Sequence, residues 1–274
     1  MISRAPRVFR LMMAAVALCA GPARAACPGF GDERAVVAAI GARGEILLSD
    51  GRAARFAGLD IPDASRGEAE TANDARGWLS SRLVGREVQL RRLGAAADRW
   101  GRLLADIAVT GPDSPPGPVS LALLSAGLAR VRPEAEARDC LAERLAAEDA
   151  ARTNGLGLWT DSYYGVVEAT DLDDLGQRDG QFAIVEGVVL RVGQGRDRTW
   201  LDFGRRGGFS AVIAARQTKA FERAGLVLTA LAGARIRVRG AMDNRFGLRM
   251  PIAGPEQIER LAQSAGPGAV EPSR

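Results

Sequence analysis

Between residues 36 and 59 lie three apolar runs, Val36–Ile40, Glu45–Ser49 and Ala53–Leu59, and none exceeds seven residues. Gly41-Ala42-Arg43-Gly44 separates the first two, and Asp50-Gly51 the second from the third. Runs this short suit strands rather than helices, and an Asp-Gly pair between them signals a tight hairpin. Two more strand-like runs, Glu87–Leu93 and Leu103–Val109, flank a turn at Asp98–Arg102. Between the two groups, Glu68–Leu83 carries Ala72, Ala75, Leu79 and Leu83 at helical spacing, and Gly85 stops it. After a Pro/Gly loop at 112–118, Val119–Ala126 and Pro133–Arg152 read as two further helices. Gly155-Leu156-Gly157-Leu158-Trp159 closes this unit, with Trp159 expected to plug the core. The pattern predicts a β-rich α+β domain over residues 34–160, a five-stranded OB-like Greek-key barrel with three helices.

Residues 161–180 are polar, with Asp171, Asp173, Asp174 and Asp179, and read as a linker. Residues 181–262 return to strand-like runs, Phe182–Val192, Arg198–Phe203, Phe209–Ala214, Ala234–Gly240 and Phe246–Ile252, interrupted by one helix at Thr218–Gly225. A second, smaller OB-like β-barrel is the expectation. It is basic: thirteen basic and five acidic side chains lie between Phe182 and Pro251. Trp200, Phe203, Phe209 and Phe246 are interleaved with the arginines, a composition suited to nucleic acid. Residues 263–274 read as a disordered tail.

The first 25 residues have the pattern of an export signal. Arg4, Arg7 and Arg10 precede a short apolar stretch, and Ala23-Arg24-Ala25 fits a small-x-small cleavage site. The stretch is too short to span a membrane, so the expectation is a periplasmic or secreted protein. Removal of the signal takes four arginines with it, leaving 33 basic and 33 acidic side chains. The net charge of +4 therefore says little about partners, and local charge decides. Cys27 and Cys140 are then the two remaining cysteines in an oxidising compartment, which predicts a disulfide between them.

The chain has no histidine and one lysine, Lys219. Histidine-based triads and His-ligated zinc are excluded. Guanidinium and carboxylate remain, the groups suited to phosphoryl oxygens and hard cations. They concentrate in two segments, Arg55-Phe56-Ala57-Gly58-Leu59-Asp60-Ile61-Pro62-Asp63 and Asp98-Arg99-Trp100-Gly101-Arg102. The same arginines could serve as structural partners of Asp60, Asp98 or Asp106, and Asp60 and Asp63 as turn or helix caps.

With Gly127-Leu128-Ala129-Arg130-Val131 and the Gly-Leu-Trp ending at Trp159, these segments resemble the staphylococcal nuclease (thermonuclease) family over roughly Val36 to Trp159. The basic second unit resembles the β-rich module that follows this domain in some exported bacterial relatives. The resemblance implies that Arg55 and Arg102 bind the scissile phosphate, that Asp60 and the Ile61 carbonyl ligate calcium, and that Asp63 positions or deprotonates the attacking water. Arg99 stands where the family has a phosphate-contacting lysine, and Trp100 lies beside it as a further substrate contact. The chain departs from the family at three places. Asp63 replaces the usual glutamate. Ala42-Arg43-Gly44-Glu45 stands where an Asp-Gly-Asp-Thr-like run supplies a second calcium ligand, so that Gly44 takes the ligand position and Glu45 is the neighbouring candidate. The substrate-packing tyrosines near Val131 are replaced by Arg132 and Pro133.

Two functions compete on this reading. One is an exported, metal-dependent phosphodiesterase cleaving DNA or RNA, calcium being the candidate cation, with Arg55, Asp63 and Arg102 catalytic and Asp60 and Glu45 on the metal. The other is a nuclease-fold protein that binds nucleic acid or another polyanion without turnover, or an envelope protein-interaction module.

Overall fold

The computed structural model describes residues 27–63, 69–94, 97–111, 117–205 and 207–262. The proposed export signal and the C-terminal tail lie outside the described residues.

Short strands cut by glycine turns close on themselves. Strands β1 (Arg34–Ile40), β2 (Ile46–Leu48) and β3 (Ala53–Phe56) form an antiparallel meander. A short β4 (Leu59–Asp60) follows, then helix α1 (Ala69–Leu83), then β5 (Glu87–Arg92) and β6 (Leu103–Val109). β6 runs parallel to β3 and antiparallel to β5, and β5 pairs back onto β1, closing a barrel in the order β1-β2-β3-β6-β5. Alternation along the strands sends Val37, Ile46, Leu48, Ala54, Phe56, Leu90 and Ile107 inward. α1 adds Leu79 and Leu83, both fully buried. Each such side chain contributes about 1.5–3 kcal/mol of transfer free energy.

Helix α2 (Val119–Ser125), β7 (Arg130–Val131) and helix α3 (Leu141–Thr153) complete this unit. The helix expected over 133–152 is two pieces: a 3-10 segment Ala135–Cys140 and then α3. The break falls at Cys140, which is bonded to Cys27 and ties the N-terminal segment to the start of α3. The closing plug is Leu158, which is fully buried, while Trp159 is half-buried. Gly127 and Gly157 explain the two Gly-Leu motifs. Both have positive φ, and a Cβ on either would strike the other loop's backbone, at 2.1 Å from the Leu156 carbonyl oxygen and 2.4 Å from that of Gly127. Only glycine lets the α2 and α3 exits touch, sealed by the Leu158 N–H donating to Gly127 O at 2.8 Å.

A polar cluster sits under the barrel. Asp106, on β6 and fully buried, accepts from Arg144 of α3 at 2.8 Å, from Ser120 of α2 at 2.8 Å and from its neighbour's Ile107 N–H at 2.9 Å. Arg144 also donates to the Ala57 carbonyl at 2.9 Å, so α3 is keyed to the turn between β3 and β4.

The expected linker at 161–180 is instead folded. β8 (Val166–Glu168) and helix α4 (Leu172–Gln177) lie within it, and Val167, Ala169 and Leu175 are buried in the second core. The aspartates that suggested a loop cap this helix: Asp171 accepts from the Asp174 N–H at 3.1 Å, and Asp174 holds Arg178. Next come β9 (Phe182–Val188), β10 (Arg191–Gln194), β11 (Arg198–Asp202), β12 (Ser210–Ala214), α5 (Thr218–Arg223), β13 (Arg235–Ala241), β14 (Arg249–Ile252) and β15 (Ile258–Arg260). Strand pairing yields two four-stranded sheets, β10-β11-β12-β14 and β15-β13-β9-β8, around one core, rather than the single closed barrel expected. β8, inside the presumed linker, and β15, past the last expected strand, complete the second sheet.

The two units share buried charge. Arg239 of β13 reaches Glu148 of α3 at 2.7 Å and donates to the Val131 carbonyl at 3.2 Å. Arg130 of β7 donates to the Phe182 carbonyl at 3.2 Å and lies between the Tyr164 and Phe182 rings. No helix among the described residues is long and apolar enough to cross a membrane.

Candidate active site: an arginine cleft on the barrel

A cleft of about 410 Å³ opens where the β3–β4 turn, the β1–β2 turn and the Asp98–Arg102 turn meet. Its lining includes Arg55, Asp60, Asp63, Arg99, Trp100 and Arg102, so one surface gathers six of the residues singled out from the sequence. It also includes Arg43, Arg132 and Glu134, which sequence reasoning gave no role.

Asp98 organises the centre. Its Oδ1 accepts the backbone N–H groups of Trp100 at 2.9 Å and Arg102 at 3.0 Å, and Gly101, at φ 77°, lets the turn close. Its Oδ2 is met by two guanidiniums, Arg102 Nη2 at 2.8 Å and Arg55 Nε at 3.5 Å. β3 and β6 are parallel neighbours, which brings Arg55 and the start of β6 side by side. Burial pushes the Asp98 carboxyl up, but Arg102 and the two backbone N–H groups outweigh it and hold the group below its ordinary value. The structural alternative for these arginines is thus partly realised, since both hold Asp98. The ion pairing aims them. Arg55 adds Glu134 at 3.1 Å and Arg102 adds Glu45 at 3.4 Å. Each Nη carries two N–H groups, so donors remain for an incoming anion.

Gly58 fixes the turn below. Its φ is 79°, its N–H donates to Glu134 at 3.3 Å, and a Cβ would lie 2.3 Å from Arg144. Trp100 is 59% exposed, with Arg99 over its ring at 3.9 Å and Arg102 at 4.8 Å.

The expected metal ligands are arranged differently from the guanidiniums. Asp60 is buried and paired across the β4–β7 ladder with Arg130, whose Nη2 donates to Oδ2 at 2.7 Å. Glu45 curls back over its turn, accepting from the Arg43 N–H at 2.9 Å and meeting Arg102. Asp63 is met by Arg43 at 3.4 Å. Gly44, at the family's second ligand position, has φ 72° and faces Ile61. Calcium takes six to eight oxygens. Among the described residues these carboxylates do not come together as a three-donor set; the one such cluster is Cys27, Cys140 and Glu143, in which the cysteines form a disulfide. Among the described residues, Glu45, Asp60 and Asp63 do not form a calcium cage.

A closed five-stranded barrel with helices, carrying an arginine-lined cleft at a strand-end turn, defines a β-rich α+β domain. Residues 53–161 match the model of the family described as staphylococcal nuclease homologue, so the chain carries an SNase domain. The matched segment includes Arg55, Asp60, Asp63, Arg99, Trp100 and Arg102, while β1 and β2 of the barrel lie ahead of it. No curated protein matches the chain.

Proposed function

We propose that this protein is an exported, nuclease-type phosphodiesterase acting on DNA or RNA, and that its cleft grips one backbone phosphate between Arg55 and Arg102. The observation that carries this reading is that Arg55 and Arg102 both line the cleft and converge on one carboxylate oxygen, Asp98 Oδ2. Two planar forks that meet at one anionic oxygen suit a phosphoryl group, whose non-bridging oxygens accept bidentate hydrogen bonds. The same donors stabilise the charge that builds on those oxygens during in-line attack. Asp63 lines the same cleft and, in this reading, serves as the carboxylate that orients the attacking water. Arg99 and Trp100 flank the phosphate position and offer a cation and an indole to the neighbouring nucleotide.

A second reading, nucleic-acid binding without turnover, is favoured by a separate observation: Glu45, Asp60 and Asp63 each already meet an arginine. Incubating the mature protein with single- and double-stranded DNA and RNA, with calcium and with a chelator, separates the two. Cleavage that Arg102→Ala abolishes in a folded protein supports hydrolysis. Binding without products, weakened by the same substitution, supports the second reading. Cleavage and binding both unchanged in Arg102→Ala refute the assignment of the cleft.

A further inference from the structure

Three arginines of the second unit gather in one hollow without a salt bridge among the described residues. Several of its guanidiniums are matched: Arg178 with Asp174, Arg191 with Asp202, Arg235 and Arg237 with Glu186, Arg239 with Glu259. Among the described residues Arg198, Arg216 and Arg249 have no carboxylate within 4.0 Å, yet all three line one hollow of about 390 Å³. Sheet register brings them there. In β10-β11-β12-β14, Thr199, Leu201, Ala211, Ile213, Met250 and Ile252 are buried, which turns the alternate positions outward. Arg198 and Trp200 of β11 lie opposite Ala214 and Val212 of β12, and Arg249 and Pro251 of β14 opposite Ser210 and Val212, all on that outer face. Arg216 comes from the 3-10 turn that follows β12.

Two further observations point to a ligand. Nε of Arg249 is buried without a hydrogen-bond partner. Beside it Phe246 is 80% exposed, its ring centre 5.1 Å from the Arg249 guanidinium carbon. Asp197 and Asp243 also line the hollow, but Asp243 is held by Arg245 at 2.9 Å, so positive charge is in excess.

We propose that this outer face is a second nucleic-acid contact, separate from the barrel cleft. A single strand lays its phosphates along Arg198, Arg216 and Arg249 and stacks a base on Phe246. Stacking on an exposed ring needs an unpaired base, which favours single strands over duplex.

The test is fluorescence anisotropy of labelled oligo-dT and oligo-U, about 20 nucleotides long to cover one site, with the full mature protein in chelator. It compares the wild type, Arg198→Ala/Arg216→Ala/Arg249→Ala, Phe246→Ala and Arg55→Ala/Arg102→Ala. The exposed pair Arg198→Glu/Arg216→Glu stands in should the triple variant fail to fold. The expected result is a loss of about tenfold or more in the triple variant, with the log-log salt slope shallower by about two, as three single-strand phosphate contacts require. Phe246→Ala is expected to lose about 5- to 100-fold on single strands while leaving heparin binding unmoved. The loss should persist in the Arg55→Ala/Arg102→Ala background, where failure of the cleft assignment shows separately as unchanged affinity of that background itself. Affinity within about twofold of wild type in the triple variant or the glutamate pair overturns the proposal, as does a Phe246→Ala loss equal for heparin and oligonucleotide.

Discussion

Asp106→Asn should destabilise the barrel far more than its size suggests. The substitution keeps the volume but removes the one carboxylate facing Arg144 at 2.8 Å and Arg91 at 3.4 Å. Arg144 is 1% exposed, so its charge has no water to turn to, and its remaining named partners are Ala57 O and Ser120 Oγ. Breaking a buried pair by removing one partner costs about 3–5 kcal/mol. At about 2–4 °C per kcal/mol for a chain of this size, the unfolding midpoint should fall by about 6–20 °C. Arg144→Met alone should be costly as well, since Asp106 loses its best donor. The double variant should be milder than the sum of the two, by about 0.5–3 kcal/mol of coupling. Urea and thermal unfolding followed by circular dichroism give all four corners of the cycle. An unfolding free energy within about 1 kcal/mol of wild type for Asp106→Asn, or strict additivity in the double variant, would show that this cluster does not hold α3 to the barrel.

Asp98 sits below its ordinary carboxylate range because Arg102 and two backbone N–H groups favour the charged form over the burial that opposes it. A depressed folded value adds stability above the unfolded value, near 3.9, and that stability is lost as pH falls through the folded value. Asp98→Asn should therefore flatten the acid limb of the stability–pH curve and weaken nucleic-acid binding by loosening both arginines, and an unchanged acid limb would contradict this. Reduction of Cys27–Cys140, which spans 113 residues, should cost about 2–5 kcal/mol in urea titrations with and without reductant. Glu148→Gln leaves Arg239 to Glu259 alone in a buried site, so the two units should unfold with separated transitions in calorimetry, where the wild type should give one coupled transition.

The barrel was legible because its signals are local. Leu103–Val109 is a short, nearly continuous apolar run that ends at defined turns, and the strand found there has the same bounds. Asp50-Gly51 marks a hairpin that closes between β2 and β3, with Gly51 at φ 86°. Non-local pairing was not legible. The aspartates at 171–174 look like a linker until Asp171 is seen to cap a helix whose Leu175 is buried. Five apolar runs in the second unit suggested closure, but closure depends on which edges pair, and β8 and β15 extend one sheet while β14 pairs parallel to β12 in the other. Within the cleft, Arg55 and Arg102 could be read from their turns. Arg130 could not, because its role comes from standing opposite Asp60 in a two-residue ladder seventy positions away. Glu134 falls within the helix expected over 133–152, whereas its extended backbone (φ −129°, ψ 143°) lets it reach Arg55. Trp159 and Leu158 exchanged roles because a one-residue offset in a 3-10 turn decides which side chain faces inward.

The most direct test of the phosphate grip follows the side-chain Nε–H resonances of Arg55 and Arg102 by NMR as a short, phosphate-linked dinucleotide is titrated into the mature protein. The account predicts that these two signals, assigned through Arg55→Lys and Arg102→Lys, shift together and saturate at one dissociation constant. It is contradicted if the dinucleotide binds elsewhere while both signals stay fixed on their Asp98 contact.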